Sequence, residues 1–420
     1  MLKKLRISAI VLILVLLSAC VPRSSEDRSK SRLDQGMSSD SQIEITLWDY
    51  FFTADRRTEA LETLIYNYQR FHPNVKIKRI TVPFGDMVNK LLLSSATGEL
   101  PDLILVDNPY HQMFAAAGML EDISERVEVW GEKDLYFSEA WASNEYKGKV
   151  YGIPMGSNNL ALYYNADLLH AAGLKPPSNW DELKDAARKL TKPGVYGFQV
   201  TAVHNEQTTY SFLPFLWQSG SDLMNFDSPG TVEAVKLWKE MVDNGTMSKD
   251  ILHQDLLTTN SQFASGHVAM MVNGGWMMEI LEKEATFKWG VVNLPKNKKE
   301  ATVLGGENWA ITSTSKQKDT AWDFIRFSQE EENLKEFLLL TGRIPARKDL
   351  IRDPAWQSDP NRKVFVDSMN ITKSRAFGSN YPEISKVMQG MIQQVVRGYL
   401  SPEDAVKEAG KKIRLLLTKN

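Results

Sequence analysis

The side chains of this 420-residue chain that could carry catalytic chemistry are one cysteine, six histidines and many carboxylates. The histidines are scattered, and they form neither an HExxH motif nor a ligand pair at helical spacing. No G-x-S-x-G elbow, P-loop or G-x-G-x-x-G fingerprint occurs. We therefore predict no metal, no cofactor and no enzyme. Two carboxylates suited to glycoside hydrolysis are recognised only by their separation in space, so a glycosidase remains an alternative.

The single cysteine, Cys20, ends an apolar N-terminal segment. Three cationic residues among the first six precede an unbroken apolar run from Ile10 to Leu17, as in a secretory signal. The tetrapeptide LSAC looks like a lipobox, in which the cysteine is acylated and becomes the first mature residue. The alternatives are a chance cysteine in an ordinary signal or an uncleaved anchor helix. We predict a signal peptide over 1–19 and lipid on Cys20, which leaves no thiol for catalysis.

The segment after Cys20 is almost entirely polar, and this composition predicts a disordered tether over 20–41. Without the signal peptide the chain keeps 47 basic against 52 acidic residues, so nothing favours nucleic acid as a partner. No later apolar run is long enough to cross a membrane. We expect an exported protein, anchored by lipid to the outer face of the cell membrane.

Strand and helix patterns alternate beyond the tether. Residues 43–48 alternate apolar and polar side chains, and residues 75–82 are predicted as a second strand. Residues 102–106 form a third strand whose last four residues are all apolar, and helical patterns lie between these strands. This order predicts a parallel sheet with crossover helices. The pattern restarts between about 155 and 300, and about 380 residues are too many for one typical core. We therefore expect two α/β domains.

Five stretches of the sequence, in order and behind a lipobox, match one family. They include the Gly-Ile-Pro, Tyr-Tyr-Asn and Trp-Asp-Glu-Leu motifs and cover residues 98–124, 148–183, 263–281, 305–327 and 341–347. From about residue 42 the chain resembles a family 1 extracellular solute-binding protein of a bacterial ABC sugar importer, the group that includes maltose-binding protein.

The resemblance implies a two-lobed periplasmic-binding-protein-like α/β fold. Each lobe would be a mostly parallel sheet flanked by helices, and the chain would cross a hinge near 152–159, 295–305 and 342–347. The implied N-lobe is 42–153 plus about 305–342, and the implied C-lobe is 154–304 plus about 343–420.

Candidate binding residues follow the strand ends, because open parallel sheets bind ligands at the carboxyl ends of their strands. Asp49 and Tyr50 follow the first strand, and Asp107 follows the strand at 102–106. Trp276 comes after two glycines at another strand end, where its ring could stack on a sugar face, with core packing as the alternative. Asp107 could accept hydrogen bonds from hydroxyls or cap the next helix.

The remaining candidates lie near glycines or rest on the resemblance. Glu307 and Asn308 follow two glycines that would let backbone amides approach a ligand. The resemblance points to Tyr210 as a cleft aromatic, and Asn158 and Arg343 are weaker matches. The predicted ligand-binding set is Asp49, Tyr50, Asp107, Asn158, Tyr210, Trp276, Glu307, Asn308 and Arg343.

The predicted function is delivery of a carbohydrate, an oligosaccharide by preference, to the membrane permease subunits of an ABC importer. The protein would act as a monomer. A receptor for another solute such as a phosphorylated polyol, or a surface-anchored glycosidase, remains an alternative. Few basic residues lie at the predicted strand ends, which favours a neutral sugar over a phosphate.

Overall fold

The computed structural model describes residues 42–51 and 56–418. The predicted signal peptide, the tether and the lipid on Cys20 lie outside these residues. These described residues form one compact unit. Among its described helices, none combines the length and the apolar character needed to span a membrane.

The strands of the described residues are short. In chain order they are β1 (Ile43–Asp49), β2 (Val75–Thr81), β3 (Leu103–Asp107), β4 (Glu145–Tyr146), β5 (Lys149–Val150), β6 (Ile153–Pro154), β7 (Leu160–Asn165), β8 (Met270–Gly274), β9 (Trp289–Val292), β10 (Thr302–Val303), β11 (Glu307–Ile311) and β12 (Thr372–Lys373).

Helices occupy most of the remaining ordered chain. In chain order they are α1 (Arg56–Phe71), α2 (Phe84–Thr97), α3 (His111–Ala116), α4 (Ser124–Trp130), α5 (Ser138–Trp141), α6 (Ala166–Ala171), α7 (Trp180–Leu190), α8 (Glu206–Gln218), α9 (Pro229–Asp243), α10 (Leu256–Ala264), α11 (Met278–Glu284), α12 (Lys318–Gln329), α13 (Glu331–Thr341), α14 (Pro354–Gln357), α15 (Pro360–Asp367), α16 (Tyr381–Val396) and α17 (Pro402–Leu417).

The first sheet has the strand order β2-β1-β3-β11-β6. Strand β1 runs parallel to both β2 and β3, and α1 and α2 connect these strands in sequence. The alternation of strand and helix therefore correctly predicted a parallel core. Strand β11 enters from far along the chain and pairs antiparallel with β3 and with β6.

The second sheet differs from the expected parallel arrangement. Its order is β8-β7-β9, and β7 runs antiparallel to both neighbours. Strands β8 and β9 are joined through α11 and run in the same direction, but β7 is inserted between them. A parallel pair split in this way makes only antiparallel contacts within the sheet. The two-lobed α/β class is confirmed, whereas a mostly parallel second sheet was wrong.

Three chain segments meet between the two sheets. Ser157 pairs in an antiparallel bridge with Ile344, and its neighbour Asn158 pairs in the same way with Gly305. These residues belong to the three segments predicted as hinge crossings, which therefore lie side by side. The lobe boundaries assigned from the sequence remain a prediction.

A largely apolar core packs around α8, whose residues are almost all buried. Its Phe212 and Phe215 meet Trp238 of α9 edge to face, with ring centroids 5.4 Å and 5.5 Å away. Trp238 is fully buried, and Trp180 and Trp322 are also buried. These three tryptophans are core residues, as their helical spacing predicts.

Candidate functional site

A cavity of about 450 Å³ lies where the two sheets and the three crossing segments meet. This volume is within the usual range for small-molecule sites, roughly 300–1,000 Å³. Seven of the nine predicted residues line it: Tyr50, Asp107, Asn158, Tyr210, Trp276, Glu307 and Arg343.

Two carboxylates lie at one edge of the first sheet. Asp107 is the last residue of β3, and Glu307 is the first residue of β11. Because these strands run antiparallel, the end of one meets the start of the other, and the two residues are direct partners in the ladder. The two glycines before Glu307 lead directly into β11, and Glu307 begins this fully buried strand.

Glu307 is paired with Arg343, and both side chains are 3% exposed. The Arg343 Nε donates to Glu307 Oε2 at 2.9 Å, and its Nη2 donates to the other oxygen. Tyr50 completes the group, since its hydroxyl donates to Glu307 Oε1 at 3.0 Å. A buried pair of this kind is tolerated only when its charges are matched and hydrogen-bonded.

Asp107 is paired with Arg375, a residue that sequence reasoning missed. The Arg375 Nη2 donates to Asp107 Oδ1 at 3.0 Å, and its Nη1 donates to Glu206 Oε1 at 2.7 Å. Burial raises the pKa of Asp107 to about 6 although the Arg375 charge opposes that rise. Asp107 is therefore a carboxylate whose charge is sensitive to pH near neutrality.

Trp276 follows β8, and its half-buried ring lines the cavity. Gly274, two residues before Trp276, explains the position of the ring, because a Cβ on Gly274 would lie 1.9 Å from a Trp276 ring atom. The Arg343 guanidinium lies 5.9 Å from the Trp276 ring centroid. The pair of glycines thus creates room for the ring, as predicted, but the ring folds back over Gly274.

Tyr210 lies on α8 beside Trp276, and their ring centroids are 6.3 Å apart. Its hydroxyl donates to Asn158 Oδ1 at 2.7 Å, and the Arg375 guanidinium lies 4.6 Å from its ring centroid. A side chain on Gly305 would collide with both Asn158 and Tyr210. One aromatic pair therefore lies between the two guanidinium groups that hold the two carboxylates.

Two predicted binding residues do not line the cavity. Asp49 is fully buried, and both of its oxygens accept hydrogen bonds from Arg79 of β2 at 2.7 Å and 2.8 Å. Asn308 donates instead to Ser143 Oγ at 2.9 Å. Side chains on successive strand residues point to opposite faces, so Asn308 turns away where Glu307 faces the cavity. A position near a strand end therefore did not by itself predict that a side chain lines the cavity.

The cavity is also more basic than the sequence suggested. Five arginines line it, against six acidic residues. None of the five follows one of the predicted strand ends, which is why the strand-end argument found few basic residues. Glu206 could have been noticed, because it is an acidic residue opening the otherwise mostly apolar helix α8. Within 42–51 and 56–418 no cluster of potential metal ligands occurs.

A two-lobed fold with a central cleft is typical of proteins that bind small solutes, and the comparison with protein families agrees. The family of bacterial extracellular solute-binding proteins matches residues 63–364. The chain belongs to this family, whose members are exported proteins that bind solutes. The resemblance inferred from the sequence motifs is confirmed.

Relatives and solved structures have similar lengths and folds. The maltotriose-binding protein of Pyrococcus abyssi is 27% identical over 325 residues, which cover 72% of this chain and 66% of the relative. An ABC transporter solute-binding protein from Thermotoga lettingae, solved with α-D-tagatose, has a TM-score of 0.82 and 26% identity over 89% of this chain and 100% of that chain. The GacH receptor of Streptomyces glaucescens, solved without ligand and with acarbose, has a TM-score of 0.82 and 26% identity. The match covers 90% of this chain and 99% of that receptor.

Proposed function

We propose that this protein binds a carbohydrate in the cleft and delivers it unchanged to the permease of an ABC importer. The observation that carries this assignment is the half-buried Trp276 ring beside Tyr210, flanked by Asp107 and Glu307. Aromatic rings stack on the C–H face of a sugar, and carboxylates accept hydrogen bonds from its hydroxyls. The three similar proteins are named for, or were solved with, maltotriose, α-D-tagatose and acarbose, which supports the same class of ligand.

The ligand should also close the lobes. Residues from the first sheet, from the crossings and from α8 line one cavity, so a ligand that touches all of them gains its full contacts only when they are together. A ligand shifts such an equilibrium by its differential affinity for the closed form. We expect the radius of gyration in solution scattering to fall when the ligand is added.

A second candidate is an anionic ligand, favoured by Arg362 of α15. Arg362 lines the cavity and donates to the Ala355 carbonyl oxygen at 3.1 Å, and it forms no ion pair with any described residue. An unmatched guanidinium suits a phosphate or carboxylate. The neutral sugar takes precedence because acidic residues outnumber arginines around the cavity.

The location of the protein follows from its family together with its N-terminus. The protein is exported, and we propose that lipid on Cys20 anchors it to the outer face of the membrane. We also propose that the protein is a monomer. Its N-lobe would be formed by 42–153 plus about 305–342, and its C-lobe by 154–304 plus about 343–420.

A thermal-shift and calorimetric screen of residues 42–420 tests the ligand class. The panel contains mono- and oligosaccharides, with phosphorylated polyols and uronates as the anionic arm. A ligand at 100 times its dissociation constant stabilises the folded state by about 2.7 kcal/mol. Stabilisation by the anionic arm alone would favour the second candidate, and no stabilisation by either arm would contradict carbohydrate binding.

A further inference from the structure

Arg375 is a buried cation that contacts both sides of the cleft. Its side chain is 3% exposed. Beyond its bonds to Asp107 and Glu206, its Nη2 donates to Asn108 Oδ1 at 3.0 Å, and its Nε faces the Leu304 carbonyl oxygen at 3.4 Å. The flat guanidinium also lies over Tyr210. Its donors are thus directed at several acceptors at once, which a lysine ammonium cannot reproduce.

The two carboxylates that Arg375 binds come from different parts of the fold. Asp107 ends β3 in the first sheet, whereas Glu206 begins α8. Glu206 is itself held by α16, since the Tyr381 hydroxyl donates to Oε1 at 2.7 Å and Ser385 Oγ donates to Oε2. Glu206 is therefore a fixed anchor, and Arg375 connects it to Asp107.

The backbone around Arg375 is also fixed. The amide of Ser374 donates to Glu139 Oε2 at 2.7 Å, and the amide of Gly378 donates to Gln112 Oε1 at 2.8 Å. Strand β12, directly before Ser374, pairs with β10. Because the backbone on both sides of Arg375 is held, its guanidinium loses little conformational entropy when it binds its partners.

Asp107 has a second oxygen that these contacts leave available. Its Oδ1 accepts from Arg375, whereas its Oδ2 accepts no hydrogen bond from any described side chain or backbone amide. Asp107 is also one of the residues that line the cavity. A partly held carboxylate of this kind is suited to a ligand hydroxyl.

We propose that Arg375 is a positioning residue that holds one oxygen of Asp107, leaves the other for a ligand hydroxyl, and ties this contact to Glu206 across the cleft. This role of Arg375 rests on the proposed function in one respect only, namely that the ligand carries hydroxyl groups. Burial favours the neutral acid, and the Arg375 charge opposes it. Without the guanidinium, Asp107 would take up a proton at higher pH and cease to be a charged acceptor.

The test that needs no ligand is a titration of Asp107 by carboxyl ¹³C NMR, assigned by comparison with Asp107→Asn. In the unaltered protein we expect a midpoint near pH 6. In Arg375→Gln it should be at least one pH unit higher, and Arg375→Lys should restore most of the difference because it keeps the positive charge. An unchanged midpoint in Arg375→Gln would overturn the proposal whatever the ligand is.

The ligand-dependent test is affinity against pH, measured with the saccharide that binds best in the screen. Arg375→Gln should bind at least about twofold more weakly at pH 7, because a midpoint raised by one unit or more lowers the ionised fraction of Asp107 by about that factor. This deficit should shrink by pH 9 as Asp107 ionises again. Adding Asp107→Asn should abolish this recovery at pH 9, because asparagine cannot ionise. An equal deficit at every pH would indicate a merely structural role and overturn the proposal. Failure of every saccharide to bind the unaltered protein would instead contradict the proposed function, and the NMR titration would still decide the role of Arg375.

Arg79→Gln is the matched control, because Arg79 makes a comparable buried pair with Asp49 that does not line the cavity. It should lower stability without moving the Asp107 midpoint. If it moved the midpoint as far as Arg375→Gln does, the effect would be a general loosening of the fold, and the proposal would fail.

Discussion

Asp107 and Glu307 are direct partners across β3 and β11, yet each is held by a different arginine. Arg375 binds Asp107 from the segment after β12, and Arg343 binds Glu307 from the crossing after α13. Two adjacent carboxylates would repel each other if both were charged and unpaired. The two guanidinium groups offset that repulsion and keep both carboxylates at the cavity.

Glu307→Gln should lower the free energy of unfolding by about 3–5 kcal/mol, because it removes the negative charge from a buried ion pair with Arg343. Urea unfolding provides the measurement. The double variant Glu307→Gln with Arg343→Gln should lose less than the sum of the two single variants. Arg126→Gln is the control, since it removes a surface pair with the exposed Asp319 and should cost about 0–1 kcal/mol. A Glu307→Gln effect no larger than this control would contradict the prediction.

Trp276→Ala should weaken carbohydrate binding by about 2–4 kcal/mol, the range for a buried aromatic anchor. The fold should survive, because the half-buried ring faces the cavity and its removal leaves no closed void in a core. Calorimetry combined with thermal unfolding measures both quantities. Trp238→Ala is the contrasting variant, since it truncates a fully buried ring and should cost about 3–5 kcal/mol of stability. Unchanged affinity, or an unfolded Trp276→Ala variant, would return Trp276 to a core role.

Asp107 should make the folded protein less stable as the pH rises. Its pKa is raised to about 6 in the folded protein, from 3.8 ordinarily. The stabilisation that Asp107 gives the folded state is therefore fully present below its ordinary pKa of 3.8, and it is lost as the pH rises through about 6. Relative to Asp107→Asn, the unaltered protein should lose about 2 kcal/mol between pH 4 and pH 8. Chemical unfolding of both proteins across this range measures the difference.

Asp122→Asn supplies a control of opposite sign for that experiment. Burial opposes the effect, but Lys149 and Ser124 lower the pKa of Asp122 through hydrogen bonds. Its contribution should be present at neutral pH and lost as pH falls through the lowered pKa. A difference between the unaltered protein and Asp107→Asn that stayed constant with pH would show that Asp107 is not raised.

Cys20→Ala should release the protein from the membrane fraction of its native host. The prediction rests on the lone cysteine at the end of the predicted signal peptide, since acyl chains contribute about 0.8 kcal/mol per buried methylene to membrane binding. Cell fractionation followed by immunoblotting measures it. A variant that remains with the membrane as the unaltered protein does would show that lipid on Cys20 is not the anchor.

The sequence was most informative where local pattern decides structure. The alternation in residues 43–48 and the apolar residues that follow Asp102 correctly predicted strands of a parallel core, since side-chain periodicity and burial on both faces determine them. The insertion of β7 between β8 and β9 depends on pairing across more than a hundred residues, which no local pattern reports.

The same distinction applies to the site. Trp276 was found because two glycines beside a bulky ring at a strand end are a local signal. Arg375 was missed because its segment carries no motif, and its role arises only when β3, α8 and β12 come together. Asp49 was proposed because it ends a strand, but its neighbour across the sheet, Arg79, occupies both of its oxygens.

Recovery of the ligand from a stoichiometric complex distinguishes a protein that only binds its sugar from one that cleaves it. The protein is mixed with one equivalent of the saccharide that stabilises it most, freed of unbound sugar by gel filtration and incubated overnight. The sugar is then released by denaturation and identified by chromatography. We predict that about one equivalent stays with the protein and is recovered intact, because the cleft holds a ligand without acting on it. Loss of the sugar during gel filtration, or recovery of cleavage products formed on a catalytic timescale, would contradict the account.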